Sequence, residues 1–160
     1  MEDLLNKESV KRVSRVLNDF DQSIKVQNLD TTARTAKDAA ESLKTEIGSI
    51  VKSLLLRRQS SFLLCLVAGD KRCSLNKVKK LLNEKDVSMA NADQVKEITG
   101  FTIGGVSPVG HLDKINILID NSLERFSYLF AAAGHPNCVF KITYNDLIKI
   151  TNGTEKEISE

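Results

Sequence analysis

Hydrophobic positions along the chain change period several times, and each change predicts an element. Over residues 9–20 (SVKRVSRVLNDF), Val10, Val13, Val16, Leu17 and Phe20 recur at helical spacing and mark one apolar face. Residues 24–29 (IKVQNL) alternate instead, the period of a strand. Asp30-Thr31-Thr32 is a capping sequence for an alanine-rich helix over 33–43, whose apolar positions are Ala36, Ala39, Ala40 and Leu43. Two long apolar runs follow, 49–57 and 61–68, joined by Arg57-Arg58-Gln59-Ser60 as a hairpin turn and closed by Gly69-Asp70. They read as central, antiparallel strands. Ser74 caps a helix over 74–82, and Asn91-Ala92-Asp93 caps a short one over 94–99. After a glycine-rich stretch, strands are predicted at 115–119, 128–132 and 138–142. Between them lie a turn or single helical turn at 120–123 and a tight loop at 134–137. A helix over 144–150 closes the fold, and the acidic residues 155–160 are expected to fray. Helices dominate the start and strands the middle and end, without regular βαβ alternation. The predicted class is α+β, a curved mixed, mostly antiparallel sheet covered by helices.

Composition narrows the function classes. The 160 residues suit a single domain, 1–160. With 41% hydrophobic residues and a net charge of +2, the bulk of the chain is not disordered. No apolar run is long enough for a membrane span, and the first 18 residues mix acids and bases without an apolar stretch, so neither membrane nor export signal is expected. Cys65, Cys73 and Cys138 are odd in number and form no CxxC pair, which predicts free thiols in a reducing cytoplasm. Cys65, inside an apolar run, reads as a small core hydrophobe. His111 and His135 are the only histidines and neither has a ligand-spaced cysteine, so no metal and no cofactor is expected. Charge is uneven: Lys71, Arg72, Lys77, Lys79 and Lys80 fall in ten residues without an acid. Such a run is a solvated helix face or a phosphate-contacting patch. A protein of charge +2 does not coat DNA, but a local patch can hold one end of a folded RNA.

Three features could carry chemistry. On a strand, Lys52 shares a face with Ile50, Leu54 and Leu56. Either its amine reaches a cleft mouth and meets an anion or a polarised carbonyl, or it snorkels from an edge strand. In Gly104-Gly105-Val106-Ser107-Pro108, two permissive residues precede a rigid one. That loop is a surface turn or a device for aiming successive N–H groups at one oxyanion. His135, between Gly134 and Pro136, is a solvated turn residue or a group that titrates near neutral pH. His111 ranks lower, because Leu112-Asp113-Lys114 after it looks solvated. There is no GxSxG elbow, no Walker loop and no GxGxxG.

Ile50-Val51-Lys52-Ser53-Leu54, the loop Gly104 to Pro108 with Val109-Gly110-His111 after it, Ile117-Leu118-Ile119-Asp120, Ala132-Ala133-Gly134-His135-Pro136-Asn137 and Ile142-Thr143-Tyr144-Asn145-Asp146-Leu147 together resemble the YbaK/prolyl-tRNA-synthetase-associated domain family of aminoacyl-tRNA editing domains. The resemblance covers a core of about residues 24–152. It implies hydrolysis of the ester between a small mischarged amino acid and the 3′ end of tRNA. Lys52 then engages the terminal nucleotide or the reacting groups. The backbone of Gly104 and Gly105, with Val106, Ser107 and Pro108, holds the aminoacyl carbonyl and amine. Ser53 stands at a position linked to substrate choice, and His135 matches a histidine present in some branches. The basic run Lys71, Arg72, Lys77, Lys79 and Lys80 is the expected tRNA contact. The expected partners are aminoacyl-tRNA and a prolyl-tRNA or other synthetase, the chain acting as a freestanding enzyme. A non-catalytic tRNA- or synthetase-binding module of the same fold is the alternative, and a hydrolase of small free esters a third.

Overall fold

The computed structural model describes residues 3–29 and 35–160. Its elements in chain order are α1 (Glu8–Phe20), β1 (Val26–Asn28), α2 (Ala36–Leu43), β2 (Ile50–Arg58), β3 (Ser61–Ala68), α3 (Leu75–Leu82), β4 (Val87–Met89), α4 (Ala92–Thr99), β5 (Asn116–Asp120), β6 (Leu129–His135), β7 (Cys138–Ile142), α5 (Tyr144–Thr151) and β8 (Thr154–Lys156). The predicted caps act as such at Ser74 and Asn91. Ser74 Oγ accepts from Lys77 N–H, and Asn91 forms a reciprocal capping box with Gln94. The Asp30-Thr31-Thr32 cap and Ala33 lie outside the described residues; within them, Thr35 caps α2 through Asp38 N–H.

The strands form one mixed sheet in the order β1-β7-β6-β2-β3-β5-β8, with β4 also paired to β2. Four of the pairings among the described residues are antiparallel and three parallel. The hairpin of β2 and β3 is antiparallel in full register, Val51 opposite Ala68 through Arg58 opposite Ser61. Alternation then assigns the faces. Val51 and Leu55, with Leu64, Leu66 and Ala68 of β3, face a main core shared with Val10, Val13 and Leu17 of α1, Val95 of α4 and Leu147 of α5. On the opposite face, Leu56, Leu63, Cys65 and Val67 pack with Val78 of α3, and Ile50 packs with Ala39 and Ala40 of α2. The sheet is therefore covered on both faces.

Several details differ from the sequence-based expectation. Phe20 ends α1 exposed, because the stripe that α1 buries stops at Leu17. The acidic tail does not fray. Ile158 is fully buried, β8 pairs with β5, and the buried Asp120 carboxylate accepts from Ile158 N–H and Ser159 Oγ, both at 2.8 Å. The tight loop at 134–137 shrinks to Pro136-Asn137, since β6 continues through a bulge between Ala132 and His135. β4 has no counterpart in the hydrophobic pattern; three residues are too few to show a period.

Candidate functional site

β2 is internal, yet one of its edges is incomplete. That edge pairs with β6 only at Ile50 and Val51, and with β4 only from Leu56 to Arg58. The stretch between, Lys52 to Leu55, faces a gap in the sheet, closed at its end by Ala90 N–H donating to Leu55 C=O. A cavity of about 430 Å³ occupies this gap, a size common for small-molecule sites. Its lining comes from both faces of β2. Ile50 to Leu55 all contribute, with Thr35, Ala36 and Ala39 of the α2 region, Phe130, Ala131 and Ala132 of β6, and Val139 of β7. Met89, Ala90, Val95, Ile103, Gly104, Val106 and Pro136 complete the wall.

Lys52 lies in this wall, on the stretch of β2 that is paired to β3 alone. Its Nζ donates to the carbonyl of Lys71. Burial holds the ammonium below the ordinary lysine value, against the opposing pull of Cys73 and Asp70. Asp70 itself is engaged by Arg125 at 2.7 Å. Ser53, next in sequence and on the opposite face of β2, also lines the cavity; its Oγ is buried and, among the described residues, has no hydrogen-bond partner. In a core where buried polar groups are nearly always paired, such an orphan in the wall of a cavity is unusual.

The glycine loop forms the opposite wall. Gly104 sits at φ +94° and lines the cavity. Gly105 N–H donates to Thr102 C=O at 3.0 Å, so that amide is committed inside the turn. Gly105 instead permits close packing: a Cβ there would lie 3.0 Å from His135 Cα. The amides of Gly104 and Val106 donate to no backbone carbonyl among the described residues. Ser107 and Pro108 are buried and stand outside the lining. Ser107 Oγ accepts from Val109 N–H at 3.2 Å, and its carbonyl lies 2.6 Å from His111 Nε2. Burial, with the nearby Arg12 charge, holds His111 below the usual histidine value despite that bond, so a neutral ring donates from Nε2. His135 is also outside the lining; its Nδ1 accepts from Asn137 N–H and shapes the hairpin turn from which Pro136 reaches the cavity.

The basic run is set apart from the lining. Lys77 Nζ donates to Ser159 C=O at 2.6 Å and lies 3.5 Å from Glu157. Arg72 and Lys80 are exposed, Lys71 and Lys79 half-buried. Cys65 is a buried free thiol, and its hydrogen bond with the Cys73 thiol together with burial pushes it up. No three His, Cys, Asp or Glu side chains among the described residues gather as a metal site, and no helix there is long and apolar enough to cross a membrane. Sequence reasoning missed the walls contributed by Met89, Ala90, Ile103, Phe130 and Val139. Each reads locally as an ordinary apolar residue, and only the strand order brings them together.

Known proteins resemble this chain in sequence and in fold. The model of the aminoacyl-tRNA editing domain matches residues 30–150. The protein YwhH of Bacillus subtilis is 30% identical over 140 residues, covering 87% of this chain and 88% of YwhH. A proline–tRNA ligase of Kosmotoga olearia is 38% identical over 91 residues, 57% of this chain but only 16% of the ligase. A relative in Enterococcus faecalis, named as a candidate Cys-tRNA(Pro)/Cys-tRNA(Cys) deacylase, is 25% identical over 126 residues, 78% of this chain and 77% of that protein. A solved structure named as a candidate trans-editing enzyme for prolyl tRNA synthetase superposes with a TM-score of 0.91 at 34% identity, covering 96% of this chain and 98% of that one. With the family model spanning most of the sheet and both walls of the cavity, the chain belongs to the aminoacyl-tRNA editing domain family.

Proposed function

We propose that this chain is a trans-acting deacylase that hydrolyses the ester of a small mischarged amino acid from the 3′ end of tRNA. The observation that carries the reading is one cavity of about 430 Å³ to which Lys52 and Ser53 of β2 and Gly104 and Val106 of the glycine loop all contribute, in a chain of the aminoacyl-tRNA editing domain family. The aliphatic walls receive the amino-acid side chain. Ser53 supplies the one uncharged side-chain polar contact of β2, and Lys52 meets the negative charge of the terminal nucleotide or of the reacting carbonyl. The amides of Gly104 and Val106 are the donors for the developing oxyanion. Gly105 and His135 shape the walls behind them.

Among the described residues, the lining contains no Asp, Glu, His or Cys. An aminoacyl ester is already activated, so positioned donors and a bound water suffice for hydrolysis. The water adds to the carbonyl, the ester C–O bond breaks, and its proton passes to the departing ribose oxygen, with the neighbouring ribose hydroxyl as relay. Selection by a confined site supplements a synthetase, for which one methylene is worth only about 1–3 kcal/mol. Lys71 and Arg72, next to the Lys52 anchor, are the nearest part of the basic run for tRNA phosphates, and a prolyl-tRNA synthetase is the expected partner.

The test is a deacylation screen over tRNAs charged with Ala, Ser, Cys, Pro and Thr, with wild type and Lys52→Met. Turnover of at least one small aminoacyl-tRNA, abolished in a folded Lys52→Met, is expected. No turnover of any of them, with tRNA binding retained, would favour the non-catalytic module.

A further inference from the structure

The glycine loop is a closed excursion. Leu112 N–H donates to Thr99 C=O at 3.2 Å and Asp113 N–H to Ile98 C=O at 3.1 Å, so residues 100–111 leave and return at one neck. Arg12 of α1 sits at that neck. Its Nε donates to Gly110 C=O at 3.1 Å and its Nη2 to Thr99 C=O at 3.4 Å. The guanidinium also lies 4.9 Å over the Phe101 ring, whose edge meets His111 at 5.9 Å. His111 in turn holds Ser107 C=O. The planar fork of arginine suits two carbonyls at once, where a lysine ammonium would serve as a point charge.

The same helix holds the other loop. Ser9 Oγ donates to Gly134 C=O at 2.9 Å, and a Cβ on Gly134 would lie 2.7 Å from Ser9 C=O. At the neck, a Cβ on Gly100 would lie 2.4 Å from Arg12 Nη2. Both loops thus press their backbone against α1, and they press against each other where Gly105 meets His135. Yet α1 precedes residue 30, where the editing-domain match begins.

We propose that α1 is a brace outside the matched editing domain, and that Arg12 is a positioning residue fixing the Gly104 and Val106 amides relative to Lys52. Arg12 is outside the lining, and it acts through Thr99, Phe101 and Gly110. The kinetic part of this inference rests on the deacylase reading; the bracing part stands without it.

The experiment measures amide hydrogen exchange and single-turnover deacylation in wild type, Arg12→Lys, Arg12→Gln and Ser9→Ala. Exchange in peptides covering 100–111 should rise about tenfold in both Arg12 variants and stay at wild-type values in 51–68. The saturating rate should fall by roughly 10–100-fold, as expected for small misplacement of catalytic groups, while the half-saturating concentration changes by less than about twofold. Arg12→Lys should recover part of what Arg12→Gln loses. Ser9→Ala removes one hydrogen bond and should raise exchange in 134–137. It serves as the fold-neutral arm should an Arg12 variant be poorly folded. Exchange that rises uniformly, or stays at wild-type values, overturns the brace. Loop-confined exchange with an undiminished saturating rate overturns positioning. If wild type deacylates nothing, the deacylase reading fails and the exchange pattern alone decides the brace.

Discussion

Replacing Ser53 with alanine should make the protein more stable and less active. In the free protein the Ser53 hydroxyl is buried without a partner. An unsatisfied buried hydroxyl costs about 1–3 kcal/mol, so a gain of at least about 1 kcal/mol is expected. For a chain of this size that is a rise of about 2–4 °C in Tm. With substrate bound, the same hydroxyl gains a partner. A hydrogen bond of this kind is worth about 1.5–3 kcal/mol when the partner is charged or strongly polarised, so kcat/KM should fall by roughly 10–100-fold. The assay is single-turnover deacylation of the preferred aminoacyl-tRNA beside thermal melts of both proteins. A lower Tm in Ser53→Ala would mean that the hydroxyl is satisfied in the free protein. An undiminished kcat/KM would mean that it does not meet the substrate. Either result refutes the reasoning.

Gly104→Ala and Gly105→Ala should fail for different reasons. Gly104→Ala places a side chain on a left-handed φ with only Pro136 Cγ nearby at 3.6 Å, so a stability loss of about 1–2 kcal/mol in urea melts is expected. Gly105→Ala meets His135 backbone at 3.0 Å and must displace the hairpin turn, so its deacylation rate should fall further than its stability. Asp120→Asn should release the tail. Burial raises the Asp120 carboxyl, but hydrogen bonds from Ser122, Ile158 and Ser159 outweigh it and leave the group below its unfolded value of 3.8. Its stabilisation is therefore present above that pH and lost as pH falls through the lower folded value. Wild type and variant should differ by about 1–3 kcal/mol near neutrality and converge in strong acid, as melts across pH will report. Arg72→Ala with Lys80→Ala should flatten the salt dependence of tRNA binding, its log–log slope dropping by up to about 0.9 for each phosphate that is no longer neutralised, whereas Lys77→Ala should chiefly loosen the tail.

Much of the fold was legible because its elements carry strong local signals. The run 61–68 is β3 to the residue, and Ser74 and Asn91 act as the caps that their positions predict. The tail was misread because its acidity suggests solvent. What holds it is one apolar residue, Ile158, and the distant Asp120, and neither is visible in the local pattern. The site was legible in part. Lys52, Ser53, Gly104 and Val106 line one cavity, although 50 residues separate the pairs. The division of labour within the glycine loop was not, because it depends on which carbonyl receives each amide. Gly105 N–H turns to Thr102, and Ser107 Oγ turns to Val109. Arg12 gave no signal at all: on a helix carrying several bases, nothing separates the one that reaches two carbonyls from those left in solvent.

The distribution of local costs argues that the cavity is a site and not a packing defect. Away from it, demanding groups are satisfied: the buried Asp120 accepts from four donors, and Arg57 and Arg58 are paired with Asp86 and Glu84. Inside it, two unfavourable features occur together. Lys52 keeps a desolvated ammonium on a single carbonyl, and Ser53 keeps a buried hydroxyl without a partner. Each could be relieved by one substitution, methionine at 52 or alanine at 53. A sequence that satisfies its polar groups elsewhere and keeps these two here is arranged for a ligand rather than for stability. On the proposed reading, an aminoacyl ester on the terminal ribose supplies both an anion and a hydrogen-bonding group, whereas a small free ester lacks the anion.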